Sequence, residues 1–429
     1  MSSNSSSNSS RISGFHKLGV PERVQRVLDF AGLPAAGLAP LFHGTGHLPV
    51  ALADQLIENV VGTMNIPLGV ATNLLIDGQD YLVPMATEES SVVAAVCNAA
   101  RQCHDTGGFI TSMSATQMIA QVQLVEVPDP ANARLAILEH LDEIRDVCNA
   151  CDPVLVSLGG GFRHLEVRII DAASGPMVVT HLIVDTRDAM GANAVNSMAE
   201  KIAPHIESWT GGRVRLRILS NLADRRLARA RCIWHVDAIG GADVRDGIIQ
   251  AYEFAQMDPY RATTHNKGIM NGVTAVVLAT GNDTRAIEAG AHAYAARRGW
   301  YSSLTHWEVT RDGHLAGSIE IPMAVGLVGG ATRLHPMAGA CLKIMRIESA
   351  EQLARVIAAV GLAQNFAALK VLATEGVQKG HMSLHSQNIA LMAGAQGDEI
   401  ALVARRLVEL GTVRIDVAEQ ELEALRGGA

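Results

Sequence analysis

Apolar and polar positions alternate along the chain in two distinct periods, and the switches between them mark the elements. VPERVQRVLDFAGL and VALADQLIENV, within residues 20–60, carry helical spacing. ENVVG at 58–62 closes that region, with Gly62 as a helix C-cap. IPLGVATNLLIDGQDYLVPMA follows, and Asp77-Gly78 between two apolar runs predicts a hairpin. VVAAVCNAARQC is a helix by period, with Ser90 or Ser91 placed to cap it. MIAQVQLVEV alternates as a strand, and residues 132–148 return to helical spacing. LEVRII is a strand, as is MVVTHLIVD after the Gly175-Pro176 turn. ANAVNSMAEKIAPHIESW is a helix with Val195, Met198, Ala199, Ile202 and Ile206 on one face. RVRLRILS is a strand with Val214, Leu216 and Ile218 directed inward and three Arg outward. From residue 118 to 220 the order is therefore β-α-β-β-α-β, a ferredoxin-like unit. From 349 onward the pattern is helical, and the last three helices suit a small C-terminal lobe, with Gly376 to Gly380 as its hinge.

Composition sets the class. The chain has 429 residues, 48% hydrophobic and 18% charged, enough for two or three domains around a large core. Its formal net charge is −8 without a basic cluster, which argues against a polyanion-binding surface. No apolar run reaches the length of a bilayer-spanning helix. The N-terminal MSSNSSSNSS has no apolar core of a secretory signal and reads as a disordered polar tail. Six scattered Cys include Cys148 and Cys151 as a lone C-x-x-C, which reads as two reduced thiols near a helix end in a reducing compartment.

Chemistry concentrates between Asp258 and Asp283. DPYRATTHNKGIMNGVTAVVLATGND holds Arg261, His265, Lys267, Asn271 and two Asp around an apolar half. Such a crowd of hydrogen-bonding groups exceeds what a structural element needs. Lys267 and Asn271 share a face if this stretch is helical, whereas nothing local brings Lys267 to Asp283. PMATEES at 84–90 places two acids before a helix, where they can simply favour its dipole. DAMGAN at 188–193 lies between a strand and a helix, where backbone N–H groups can receive a pyrophosphate and Gly191 permits close approach. No G-x-G-x-x-G is present, so a Rossmann reading fails. Asp152 stands shortly before the Gly-rich Ser157–Gly161 segment. GHMSLH places His381 and His385 one helical turn apart, a metal-ligand spacing, yet without the Glu of a zincin or an evident third ligand. No metal is expected.

The Asp258–Asp283 stretch, ENVVG, PMATEES, DAMGAN and GHMSLH together resemble 3-hydroxy-3-methylglutaryl-CoA (HMG-CoA) reductase, most closely its soluble, bacterial-type class II. The resemblance covers nearly the whole chain beyond residue 11 and implies an α+β fold. A large mixed domain (12–115 and 222–376) would carry an inserted ferredoxin-like nucleotide-binding domain (116–221). A C-terminal helical flap (377–429) would follow, after a tail at 1–11. The implied activity interconverts HMG-CoA with mevalonate and coenzyme A, in either direction, through two hydride transfers. The implied catalytic residues are Glu89, Lys267, Asp283 and His381. Glu89 would have to be protonated near neutral pH, which burial with little counter-charge would achieve. Substrate contacts fall on Ser91, Asn221, Arg261 and Asn271. Dinucleotide contacts fall on Asp188, Met190, Gly191 and Asn193.

An acid matching Asp152 belongs to the NADH-using members, because a carboxylate accepts from a ribose 2′-OH and repels a 2′-phosphate, so NAD(H) is expected. An NADPH-preferring enzyme and an inactive ligand-binding relative are the alternatives. His16-Lys17 stands where a basic CoA contact is expected, and Lys17 can serve as a point charge. His385 is a second CoA candidate, while Gln387 stands where the family's motif has Arg. ENVVG matches a motif at the family's dimer interface. The resemblance thus implies an obligate homodimer with its active site between subunits, with a trimer of dimers as its further assembly. It implies a cytoplasmic protein with no membrane domain and no nucleic-acid partner.

Overall fold

A computed structural model describes residues 9–34, 48–374 and 376–427, without the side chains of Ala331 and of residues 377–384. Helix α1 (Val20–Ala31) and the single turn α2 (Val50–Ala53) precede the hairpin β1 (Leu68–Ile76) and β2 (Gln79–Ala86). Helix α3 (Val92–Cys103) leads into β3 (Ile110–Met113). Then come β4 (Gln117–Val125), α4 (Pro130–Glu139), α5 (Leu141–Cys151), α6 (Pro153–Ser157), β5 (Gly161–Ile170), β6 (Met177–Asp185), α7 (Ala192–Thr210) and β7 (Arg213–Ser220). The chain returns through β8 (Leu227–Trp234), α8 (Val236–Ile239), α9 (Ala242–Met257), α10 (Pro259–Ala279), α11 (Thr284–Ala295), β9 (Thr305–Val309) and β10 (Leu315–Pro322). It ends with α12 (Gly330–Leu334), α13 (Pro336–Met345), α14 (Ala350–Ala373), α15 (Val377–Met392), α16 (Asp398–Glu409) and α17 (Ile415–Gly427).

The fold is α+β. β5-β6-β4-β7 form an antiparallel sheet, the ferredoxin-like order predicted from periodicity, with α4, α5 and α7 packed on one face. The register slips between Val122 and Leu124 opposite β7. Val214 is buried as expected, but Leu216 and Ile218 are 58% and 46% exposed. β7 is the sheet's outer strand, so its expected inward row loses cover after one residue.

The second four-stranded sheet, β3-β8-β10-β9, is also antiparallel. It packs with α3, α9 and α10 around α14. The 24-residue α14 starts at Ser349, whose side chain accepts from Gln352 N. By length and composition it could cross a membrane, contrary to the expectation that no apolar run is long enough. Here 67% of its apolar window is buried inside the protein, and Phe366 stacks on Trp234 with ring centroids 4.4 Å apart.

At the hairpin, Asp77 and Gly78 both have positive φ, 51° and 79°, as a two-residue primed turn requires. Other expectations are corrected. The helix beginning near residue 50 stops at Ala53, so Gly62 caps nothing, and Ile57, Val61 and Met64 stand exposed. Ser91 occupies the cap position of α3 without a side-chain cap bond. The polar tail is anchored by Ser10, which is buried and donates from its N to Asp80 Oδ1 at 2.8 Å and from Oγ to Leu74 O at 3.1 Å. Residues 1–8 of that tail lie outside the described residues. Gly380 falls inside α15, so of the expected Gly376–Gly380 hinge only Gly376, with φ 75°, precedes that helix. Helices α15 to α17 enclose their own small core of Ile389, Val403, Leu407 and Leu422 among others. All six cysteines are free, and burial pushes the Cys148 thiol up to about 12.

Candidate active site

Helix α10 carries most of the chemistry. Asp258 caps it, accepting from Tyr260 N at 2.7 Å and Arg261 N at 3.1 Å, and Pro259 opens its first turn. Ile269, Val273 and Val276 bury its inner face, turning Lys267 and Asn271 outward over the exit of the hairpin. There Glu89 waits, its N bonded to Thr87 Oγ1 at 3.1 Å. Lys267 Nζ lies 2.8 Å from Glu89 Oε2, and Asn271 Nδ2 donates to Glu89 Oε1 at 3.2 Å. These partners are 178 and 182 residues apart in sequence.

The expectation for Glu89's surroundings is not met within one chain. Its side chain is 39% exposed and paired with the Lys267 ammonium rather than buried without counter-charge. Ser91, two residues on, holds φ 74°, a left-handed conformation that non-glycine residues adopt at a cost. Arg261 begins the same helix, about 9 Å along its axis from Lys267. It is half-buried, and burial lowers its guanidinium below the ordinary value. Gln364 on α14 was not foreseen. It packs against Gly272, one residue from Asn271, with its buried Oε1 unpartnered among the described residues. A Gln-Asn pair inside an otherwise apolar helix was the available signal.

A second group forms beyond the far end of α10. Asp283 caps α11, accepting from Arg285 N at 2.9 Å and Ala286 N at 3.1 Å, and pairs with the Arg285 side chain at 3.3 Å. Lys267 lies 12 residues, about 18 Å of helix, before Ala279. No ion pair joins it to Asp283 within the chain, so the charge-balancing contact expected between them is absent here. Asn282 Oδ1 accepts from Gly326 N at 2.8 Å, and a Cβ on Gly326 would lie 2.4 Å from Met190 N. Asn221 O lies against Gly290 of α11, where a Cβ would come within 2.5 Å of it. The Asp283 turn, Asn221 and the DAMGAN turn are thus neighbours.

Arg226 supports that group from beneath, and nothing in LADRRLARA marked it as a core residue. It is fully buried and donates to Val325 O at 2.6 Å, Thr186 Oγ1 at 2.9 Å and Ala189 O at 3.0 Å. Burial lowers its guanidinium to about 10, against the opposing pull of Asp185 and Asp188. Asp188 is itself engaged, accepting from Ala350 N at 2.8 Å at the start of α14. Gly191 has a further reason to be glycine: its φ is 99°, and a Cβ would lie 2.4 Å from the Thr186 side chain. No side chain caps α7 at Gly191, and the exposed Asn193 stands in its first turn. Asp152 caps the short α6, accepting from Leu155 N at 2.9 Å, just before the Gly159–Gly161 turn.

The remaining candidates stand apart. Lys17 and His385 are exposed, and no hydrogen bond or ion pair joins their side chains to either group among the described residues. His381 falls in α15, but its side chain lies outside the described residues. Among the described residues no group of three His, Cys, Asp or Glu converges as a metal site would require.

Comparison with known proteins returns one answer. The family model of hydroxymethylglutaryl-coenzyme A reductase matches residues 32–386. A 3-hydroxy-3-methylglutaryl-coenzyme A reductase of Archaeoglobus fulgidus is 57% identical over 419 residues, covering 97% of this chain and 95% of its own length. Among solved structures, the Streptococcus pneumoniae reductase superposes with a TM-score of 0.83 at 40% identity, covering 96% of this chain and 99% of that one. A second structure of that enzyme, described as class II and bound to NADPH in open conformations, gives 0.81 at 40% identity, covering 95% and 100%.

Proposed function

The chain belongs to the hydroxymethylglutaryl-coenzyme A reductase family, and on that premise we propose that it interconverts HMG-CoA with mevalonate and coenzyme A as a class II enzyme. The observation that carries this is the meeting of Lys267, Glu89 and Asn271 at 2.8 and 3.2 Å across 178 and 182 residues of sequence. An ammonium and a carboxyl group within one hydrogen bond of each other can serve a single carbonyl. The ammonium stabilises oxyanion charge as the carbon turns tetrahedral, and the carboxyl group delivers a proton to that oxygen.

A reduced nicotinamide supplies the hydride in each of two rounds. In the first, Lys267 holds the thioester oxygen while it gains charge, giving a hemithioacetal. His381, carried by the hinged helix α15, protonates the departing thiolate, a task suited to imidazole. In the second, Glu89 protonates the aldehyde oxygen as the alcohol forms. Ser91, Arg261, Asn221 and Asn271 orient the substrate, with the Arg261 guanidinium meeting its free carboxylate. The uncapped start of α7, with Gly191 and Asn193, suits the dinucleotide's pyrophosphate. Lys17 and His385 are the CoA-side candidates.

Asp283 enters this scheme from a second subunit. Within one chain it lies beyond the opposite end of α10 from Lys267, and the site in which both act needs two copies. The exposed Ile57, Val61 and Met64, within and flanking ENVVG, supply apolar surface for such a contact, and a covering subunit would also bury Glu89. A homodimer is therefore the proposed working unit.

NAD(H) is the proposed cofactor, on the Asp152 carboxylate. NADPH is the second reading, favoured by the NADPH bound in the Streptococcus pneumoniae relative. The test mixes purified protein with mevalonate, CoA and either NAD⁺ or NADP⁺ and follows reduced nicotinamide absorbance. NADH alone supports the whole proposal. NADPH alone retains the reaction and discards Asp152 as the selector. No turnover in either direction by folded, dimeric protein overturns the catalytic reading.

A further inference from the structure

One cluster beside the dinucleotide turn is used by neither the fold nor the mechanism above. Arg163 of β5 and Arg187, three residues before Met190, reach the same atom: each directs Nη2 to the carbonyl of Gly159. Among the described residues the only carboxylate paired with either is Asp185, at 3.3 Å from Arg163 Nη2 and 3.7 Å from Arg187 Nε. Asp185 is largely committed elsewhere, accepting from Thr116 Oγ1 at 2.7 Å and from Arg187 N at 3.0 Å. Two permanent positive charges thus converge on one carbonyl and one shared carboxylate, leaving one net positive charge. Both side chains keep solvent access, 36% for Arg163 and 44% for Arg187.

The arrangement is held in place. Arg187 has φ 50°, fixed by its N–H bond to Asp185, and a Cβ on Gly159 would lie 3.0 Å from its Nη2. The carbonyl that both guanidiniums share belongs to the turn that follows α6, at whose start Asp152 sits. On the other side Arg187 runs directly into Asp188–Asn193. The excess charge therefore lies between the residue proposed for the adenosine ribose and those proposed for the pyrophosphate.

We propose that Arg163 and Arg187 form a phosphate-binding pair for the adenosine half of the dinucleotide. Planar guanidiniums suit phosphate oxygens, to which they donate two parallel hydrogen bonds. An incoming dianion would also remove the repulsion between them. The proposal rests on the dinucleotide reading above. Two phosphates carry this chemistry: the pyrophosphate, common to NADH and NADPH, and the 2′-phosphate of NADPH alone.

The test measures affinity of full-length dimeric wild type, Arg163→Met and Arg187→Met for NADH and for NADPH by nicotinamide fluorescence, with KM for HMG-CoA as control. Each loss is expected to weaken binding roughly tenfold or more, with KM for HMG-CoA within twofold. Equal weakening for both dinucleotides assigns the pair to the pyrophosphate, and weakening for NADPH alone assigns it to the 2′-phosphate. Affinities within twofold for both dinucleotides overturn the proposal. So does a KM for HMG-CoA that rises in step, which marks a folding effect. Should either variant fail to fold, Arg163→Gln and Arg187→Gln replace it. They keep a polar side chain but not the charge, and unchanged affinity in them overturns the proposal equally. Dinucleotide binding that depends on the arginines, in a protein that turns over neither HMG-CoA nor mevalonate, would remove the reaction and leave the site.

Discussion

Replacing Lys267 by Met separates what the Glu89–Lys267 pair does for folding from what it does for chemistry. Lys267 is 59% and Glu89 39% exposed, and ion pairs so open to water contribute about 1 kcal/mol or less. Met is as good a helix former as Lys, so α10 keeps its capped first turn and buried face. Stability should fall by less than about 1 kcal/mol. The catalytic loss is of another size. Removing a preorganised charge from a developing oxyanion costs roughly 3 kcal/mol or more, about a hundredfold or more in kcat. Asn271, left alone on Glu89, carries no charge to replace it. Steady-state rates in both directions, beside urea denaturation of the same preparations, supply the comparison. A variant retaining a tenth or more of wild-type kcat would refute the oxyanion role. A variant that loses rate and several kcal/mol of stability together would show the pair to be structural.

Arg226→Met should destabilise the protein by about 4 kcal/mol, because the buried Thr186 Oγ1 and Val325 O lose their Arg226 donor and Ala189 O keeps only Thr186 Oγ1. Denaturation by urea checks this, and a loss under 1 kcal/mol would mean that the turn relaxes around the gap. Gly191→Ala forces a Cβ to 2.4 Å from the Thr186 side chain at φ 99°. A lower melting temperature and a higher KM for the dinucleotide are expected, and wild-type values for both would contradict the packing described. Burial pulls His265 from 6.5 down to about 3, with the nearby Arg261 adding to it. The unfolded chain then binds more protons between those values, so stability should fall as pH drops from 6.5 toward 3, by at most about 5 kcal/mol. His265→Asn should flatten that part of a pH–stability profile, and an unchanged slope would assign the acid sensitivity elsewhere.

Local pattern carried the elements and failed where distant neighbours decide. The β-α-β-β-α-β unit was legible because a period of two and a period of 3.6 alternate cleanly between residues 118 and 220. The exposure of Leu216 and Ile218 was not, since alternation cannot tell an outer strand from an inner one. Asp77-Gly78 fixed its turn through φ alone. The stretch after Ala53 kept helical spacing, yet Ile57, Val61 and Met64 find no cover among the described residues. At the site, spacing put Lys267 and Asn271 on one face, but only the fold brings Glu89 to both. It also sets Asp283 apart from Lys267, a separation foreshadowed only by the lack of any local link. Arg226 hid in a run that resembles a solvated surface, because a buried cation leaves no periodic trace. Asp152 and Asp188 both proved to be anchoring groups in the folded chain, through Leu155 N and Ala350 N, a duty compatible with ligand contact and invisible in sequence.

The central claim is that Lys267 of one subunit works with Asp283 of another. Lys267→Met and Asp283→Asn proteins, each inactive alone, are mixed in equal amounts and allowed to exchange subunits. Half of the dimers are then mixed, and each holds one site with both residues intact, so activity should return to about a quarter of wild type. If mass measurement shows that mixed dimers have formed and activity stays at the level of the parents, the two residues do not meet across subunits and the account of the site is wrong.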